Sequence, residues 1–184
     1  MVRSFKYATA AATVLVVALT IVAGALASPS GGRTITLKDK CDPTTFNAVV
    51  GPGTCVGSGD VTFSDFVQQL TASQMAGAWR FAPDHTTIDA GTPLTVINAG
   101  GETHTFTMVA NFGPGFVPFL NALVFPGESQ TPIPEFTAPL PAATLASFMP
   151  AGSPARTLNL APGTYMFECG IHPWMRTTVT VEND

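Results

Sequence analysis

Residues 162–181 read PGTYMFECGIHPWMRTTVTV. Two alternating runs flank a short break. Tyr165, Phe167 and Cys169 share one face of the first run, and Val179 and Val181 share one face of the second. Apolar residues at every second position mark strands with one buried face. Cys169 therefore points inward at the end of a buried strand. Pro173 helps turn the chain out of that strand, so His172 and Met175 ride on the connecting loop. Cysteine, histidine and methionine, each three positions apart, can then converge on one point.

The same period extends upstream. AWRFAP alternates through Trp79 and Phe81, and GTPLTVINAGG through Leu94 and Val96. THTFTMVA puts His104, Phe106 and Met108 on one face and Thr103, Thr105 and Thr107 on the other. Short alternating strands between Gly/Pro turns indicate an antiparallel sandwich or barrel. His104 then arrives at the interior from a strand of its own. One stretch departs from the pattern: residues 111–142, NFGPGFVPFLNALVFPGESQTPIPEFTAPLPA, whose prolines forbid a regular central strand. A loop of this length is either functional or packed as a lid.

Before residue 78 the character changes. Residues 28–60 are rich in Gly, Pro, Ser and Thr and read as an irregular extension. DVTFSDFVQQLTASQMAG then reads as a helix: Thr62 caps it, Asp65 completes a capping box, Phe66, Val67 and Leu70 form its apolar face, and Gly77 ends it. Calcium is rejected there. Aligning Asp65 with the last ligand of a calcium loop puts Thr54 and Val56 where carboxylates are needed.

The N-terminus reads as an export signal. Arg3 and Lys6 precede the apolar run YATAAATVLVVALTIVAGALA, and ALA at 25–27 offers a small-x-small cleavage site. The expectation is cleavage after Ala27 and a secreted or periplasmic protein, or a membrane-anchored one if the signal stays; no later segment is apolar and long enough to span a bilayer. Of eight basic residues Arg3 and Lys6 leave with the signal, so six remain against twelve acidic ones. With no basic run, nothing marks a nucleic-acid partner.

Export implies an oxidising compartment, where cysteines usually pair. Three cysteines cannot all pair within one chain, and three pairings are possible. Cys41 and Cys55 share one turn-rich segment, CDPTTFNAVVGPGTC, whereas Cys169 lies far along the chain beside His172. The economical pairing joins Cys41 to Cys55 and leaves Cys169 free for chemistry. A thiolate, two imidazoles and a weak thioether are the donor set of a blue-copper electron-transfer site.

GETHTF at 101–106, followed much later by PGTYMFECGIHPWMRTTVTV, resembles the cupredoxins, the type 1 copper proteins, of the amicyanin and plastocyanin kind. The likeness covers residues 78–184 apart from the 111–142 insertion. It implies an all-β, Greek-key β-sandwich, here with an N-terminal extension (28–77) that contains one short helix. It also implies one type 1 copper ion, with His104, Cys169 and His172 as strong equatorial ligands and Met175 as the axial one. The function expected is an exported one-electron carrier. The alternatives are a copper-binding or trafficking module without redox turnover and a cupredoxin-like interaction domain.

Histidine supply argues against an enzyme. With His104 and His172 committed, only His85 remains, too few for the added centres of multicopper oxidases or copper nitrite reductases. The ligand loop has one cysteine where a binuclear copper centre needs two. The partner expected is an unidentified redox protein docking near His172 and Trp174. The ring edge of His172 is expected to be the ligand atom nearest solvent, with Phe112, Phe116 and Phe119 of the insertion adding to an apolar patch at that end. Glu168, next to Cys169, is expected to face away from it, close enough for its charge to lower the copper potential.

Overall fold

The computed structural model describes residues 34–183; the export signal expected at 1–27 lies outside the described residues. In chain order the elements are β1 (Thr34–Lys38), α1 (Pro43–Val49), α2 (Phe63–Ser73), β2 (Arg80–Ala82), β3 (His85–Asp89), β4 (Leu94–Asn98), β5 (His104–Thr105), β6 (Thr107–Val109), α3 (Pro118–Val124), α4 (Ala142–Ala146), β7 (Phe148–Met149), β8 (Arg156–Leu158), β9 (Gly163–Glu168) and β10 (Arg176–Glu182). A single 3₁₀ turn covers Pro134–Phe136.

Two four-stranded sheets, ordered β2-β1-β4-β8 and β3-β10-β9-β6, share one apolar core. Ile35, Leu37, Phe81, Leu94 and Val96 enter from the first sheet, and Ile88, Phe167, Val179 and Val181 from the second. Phe106 and Phe167 stack at 4.2 Å in the middle. The result is a β-sandwich, as the alternation implies. Both sheets are mixed, however: β1 runs parallel to β4 and β3 parallel to β10, the other ladder pairs being antiparallel. Side-chain alternation is the same in parallel and antiparallel strands, so it does not report this difference.

The segment before residue 78 is not a separate appendage. β1 lies between β2 and β4 and supplies Ile35 and Leu37 to the core. Cys41 and Cys55 form a disulfide. The loop they close packs on the turn after β4, where a Cβ at Gly101 would sit 2.6 Å from the Gly57 amide nitrogen and 2.8 Å from Cys41 Sγ. Only glycine permits that approach. Asp42 caps α1 by accepting from the Thr45 amide at 2.8 Å. Thr62 caps α2, accepting from the Asp65 amide and donating its hydroxyl to the Asp65 carboxylate. α2 ends at Ser73 rather than at Gly77, because Gln74 itself takes the left-handed conformation that closes the last turn.

Phase also shifts at Phe106. Its amide donates to the Ser147 carbonyl, so His104–Thr105 pairs with β7 while Thr107–Val109 pairs with β9. The chain changes sheets there, and the inward face passes to Thr107 and Val109. Met108, expected inside, is 47% exposed.

The insertion has no long strand, as its prolines require, but forms α3, the 3₁₀ turn and the start of α4. Its Phe116 amide donates to the Gly170 carbonyl, and a Cβ at Gly170 would lie within 2.7 Å of the Phe116 and Phe136 rings. The insertion is thereby seated at the end of the sandwich that carries the Cys169 loop.

The disulfide closes a loop of about 15 residues, worth about 3 kcal/mol of unfolded-chain entropy. Replacing both Cys41 and Cys55 by serine should therefore lower the stability of the metal-free protein by about 3 kcal/mol, measured by urea titration under non-reducing conditions. An unchanged midpoint would show that the loop is held by its packing alone.

Candidate metal centre

Cys169 follows β9 and is fully buried, and its amide donates to the Met175 carbonyl at 3.1 Å. The Met175 amide donates to the His172 carbonyl at 2.8 Å. These two bonds close the loop 169–175 into a rigid turn. β5 brings His104 from the opposite side, and the Thr105 amide donates to Cys169 Sγ at 3.3 Å.

The result is a compact donor group. Cys169 Sγ lies 4.0 Å from His104 Nδ1 and 3.7 Å from His172 Nδ1, and the three donor atoms are all within 4.8 Å of one another. Met175 is fully buried on the same loop. His85, at the start of β3, is exposed and belongs to no such group. The other cluster of metal-type residues, Asp39, Cys41 and Glu102, includes a sulfur already spent in the disulfide.

Each imidazole is held by its far nitrogen. His104 Nε2 meets Asp39 Oδ2 at 2.8 Å, and His172 Nε2 lies 3.6 Å from Glu102 Oε2. Asp39 is itself gripped by the amides of Cys41, Gly101 and Glu102. Trp79 Nε1 donates to Glu102 Oε2 at 2.5 Å. Sequence reasoning singled out neither carboxylate and read Trp79 only as a strand residue. Glu102 left a trace, sitting two positions before His104 in GETH; Asp39 left none, because it comes from a segment read as an extension.

Electrostatics follow from this packing. Burial opposes ionisation of the Cys169 thiol, but hydrogen bonds and charge from His104 and His172 outweigh it and hold the thiol well below its usual range. Burial likewise opposes a charged His104, yet the bond to Asp39 and the contact with Cys169 raise it to about 9. Burial pushes Asp39 upward, and the His104 bond with the Gly101 and Glu102 amides overcomes this and holds it at about 2. Glu102 is raised by burial, against the pull of His172 and Trp79. Burial also takes Glu168 up to about 8, despite Arg176 at 3.2 Å.

The expectation of an exposed His172 edge is corrected by the structure: the residue is 3% exposed. Phe66 of α2 stands edge-on to its ring at 6.4 Å, Trp174 does the same at 5.3 Å, and Glu102 closes the remaining side. Phe66 is the inward residue of the helix read from the sequence, so the helix is a cover for the site. Trp174 is half-buried, its indole donating to the Ala76 and Trp79 carbonyls.

No family model matches the chain, and no curated protein matches it. Among solved structures it is similar to a purple cupredoxin from Nitrosopumilus maritimus, at 18% identity and a TM-score of 0.41 over 81% of this chain and 98% of that one. It is also similar to the oxidised plastocyanin from Dryopteris crassirhizoma, at 16% identity and 0.38 over 81% and 99%. A reduced amicyanin mutant matches at 23% identity and 0.32 over 54% and 70%. What the sheets and register described above establish is a two-sheet β-sandwich.

The Asp39–His104 bond gives a pH signature to the metal-free protein. A carboxylate held at about 2 in the fold, against an ordinary 3.8, contributes stability that is fully present above pH 4 and lost as pH falls toward 2. The contribution is on the order of 1–2 kcal/mol. Thermal melts should show wild type more stable than Asp39→Asn at pH 6, with the gap narrowing between pH 4 and 2. A gap independent of pH would mean that the carboxylate is not charged in the fold.

Proposed function

We propose that this chain is an exported, mononuclear type 1 copper protein that carries single electrons, with His104, Cys169 and His172 as strong ligands and Met175 as the weak axial one. The observation that carries the reading is the convergence of two buried imidazole Nδ1 atoms on a buried thiol whose ionisation they favour. The donor set fits copper: sulfur suits the reduced ion and nitrogen the oxidised one, so a bound copper would supply one-electron chemistry. The chain's part is to hold the donors still. The loop bonds from Cys169 to Met175, the Asp39 bond to His104 Nε2 and the Glu102 contact with His172 Nε2 do so.

Occlusion favours electron transfer over metal handover. Passing an ion to another protein requires a ligand within that protein's reach, and none of the four proposed ligands is more than 3% exposed. An electron crosses a wall of packed side chains that an ion does not. The Cys41–Cys55 disulfide supports an oxidising compartment, and hence a secreted or periplasmic location. Among the described residues no helix is long and apolar enough to cross a membrane.

The proposed partner is a redox protein, docking over Trp174 rather than on His172 itself. Trp174 bridges His172 and the surface around Met75, which is 53% exposed. A small apolar face suits a transient encounter.

Copper(II) added to the metal-free protein should give an intense blue or green colour from thiolate-to-metal charge transfer. Cys169→Ser should abolish the colour, and His104→Ala should bleach or strongly alter it. Met175→Leu should retain copper with a shifted spectrum. A colourless wild-type protein holding one equivalent of copper(II) would refute the assignment. For docking, Trp174→Ala should slow electron exchange with the physiological partner, measured by stopped flow, while the visible spectrum stays nearly unchanged. Exchange at the wild-type rate would remove Trp174 from the path.

A further inference from the structure

We propose that Asp39 and Glu102 are positioning residues for the two imidazoles, and that these buried carboxyl groups draw the reduction potential of the bound copper down. The proposal rests on the copper reading above and adds to it what governs the potential. Both pairs are enclosed: the side chains of His104 and Asp39 are 0% and 1% exposed, and those of His172 and Glu102 are 4% and 8% exposed.

Neither carboxylate is free to swing away. Asp39 Oδ1 accepts from the Cys41 and Gly101 amides, while Oδ2 accepts from the Glu102 amide and faces His104 Nε2. The neighbouring disulfide fixes the backbone that carries it. Glu102 Oε2 accepts a hydrogen bond from the Trp79 indole N–H. With a metal bound, a carboxylate against Nε2 keeps the proton on that nitrogen and leaves Nδ1 as the ligating atom, and it makes the imidazole a stronger donor. Two consequences follow for a bound metal. A stronger donor favours the more highly charged oxidation state. So does an anion held nearby where little solvent screens it.

The same logic separates these residues from Glu168, the carboxylate that the sequence brings to notice. Glu168 adjoins Cys169 in the chain, but its carboxylate pairs with Arg176 at 3.2 Å and accepts from the Gly113 amide rather than facing an imidazole. Among the described residues, the ion pair of Asp39 is with the imidazole it holds. Asp39 should act more strongly than Glu102, because its contact is shorter and because Trp79 already draws on the Glu102 oxygen.

The test is a redox titration of the copper-loaded full chain for wild type, Asp39→Asn and Glu102→Gln, with the visible spectrum recorded for each. Asp39→Asn should shift the reduced-to-oxidised ratio at a given applied potential at least tenfold toward reduced, which is about 59 mV for a one-electron couple. Glu102→Gln should shift it the same way by less, with the charge-transfer band retained in both. Unchanged or lowered potentials in both variants overturn the proposal. In Asp39→Asn the new side-chain amide would face backbone donors, so if that variant fails to fold, Glu102→Gln decides alone: a raised potential supports the proposal and an unchanged one overturns it. If wild type gives no coloured copper complex, the function proposed above has failed. The positioning role is then read by NMR on zinc(II)-loaded protein. The His104 Nε2 proton should lie far downfield in wild type and move upfield in Asp39→Asn; an Nε2 without a proton, or a resonance that stays put, overturns it.

Discussion

A thiolate buried without compensation is among the least tolerable groups in a protein interior, and the whole sandwich end is organised around Cys169. Burial alone would raise its pKa and leave an inert thiol. Here His104, His172 and the Thr105 amide all face the sulfur, and their combined effect outweighs burial. Each histidine then needs support of its own, since a buried imidazole that carries charge or ligates a metal must satisfy its other nitrogen. Asp39 and Glu102 supply it. Those carboxylates, buried in turn, require the amides of residues 41, 101 and 102 and the indole of Trp79. The sequence of requirements runs outward from one sulfur to the disulfide loop and the aromatic cap.

That outward progression marks the line between what the sequence made legible and what it did not. The inner part was readable because it is local. Cys169, His172 and Met175 lie on one turn, and alternation shows which way Cys169 points. Buried strands such as Leu94–Asn98 and Arg176–Glu182 were readable for the same reason: the period of two is a property of the strand alone. The disulfide followed from parity and proximity in the chain.

What was missed depends on contacts between distant segments. Asp39 reaches His104 across 65 positions, and no local pattern announces such a partner. β1 is five residues long and precedes a region of turns, so its place between β2 and β4 is a tertiary fact. The phase change at Phe106 arises where one strand leaves its sheet for another, a bend the residue types do not encode. His172 was expected to show an edge because a loop at the end of a sandwich is ordinarily solvated. The expectation failed because α2, correctly read as a helix with Phe66 inward, had been given no surface to cover.

The cover changes how the site must work. A ligand edge open to solvent offers direct contact to a partner and an opening to water. Here Phe66, Trp174 and Glu102 close both at once. Carboxylates could not support the imidazoles as strongly in an open site, because water would screen their charge and compete for Nε2. Enclosure is thus the condition under which Asp39 and Glu102 act at full strength. On the proposed electron-carrier reading, it also moves the exit one ring outward, from His172 to Trp174, the cap residue that both touches a proposed ligand and approaches the surface. The amphipathic helix that looked like an appendage, the insertion seated on Gly170 and the paired carboxylates then belong to one arrangement: a rigid enclosure in which the donors are held by the protein.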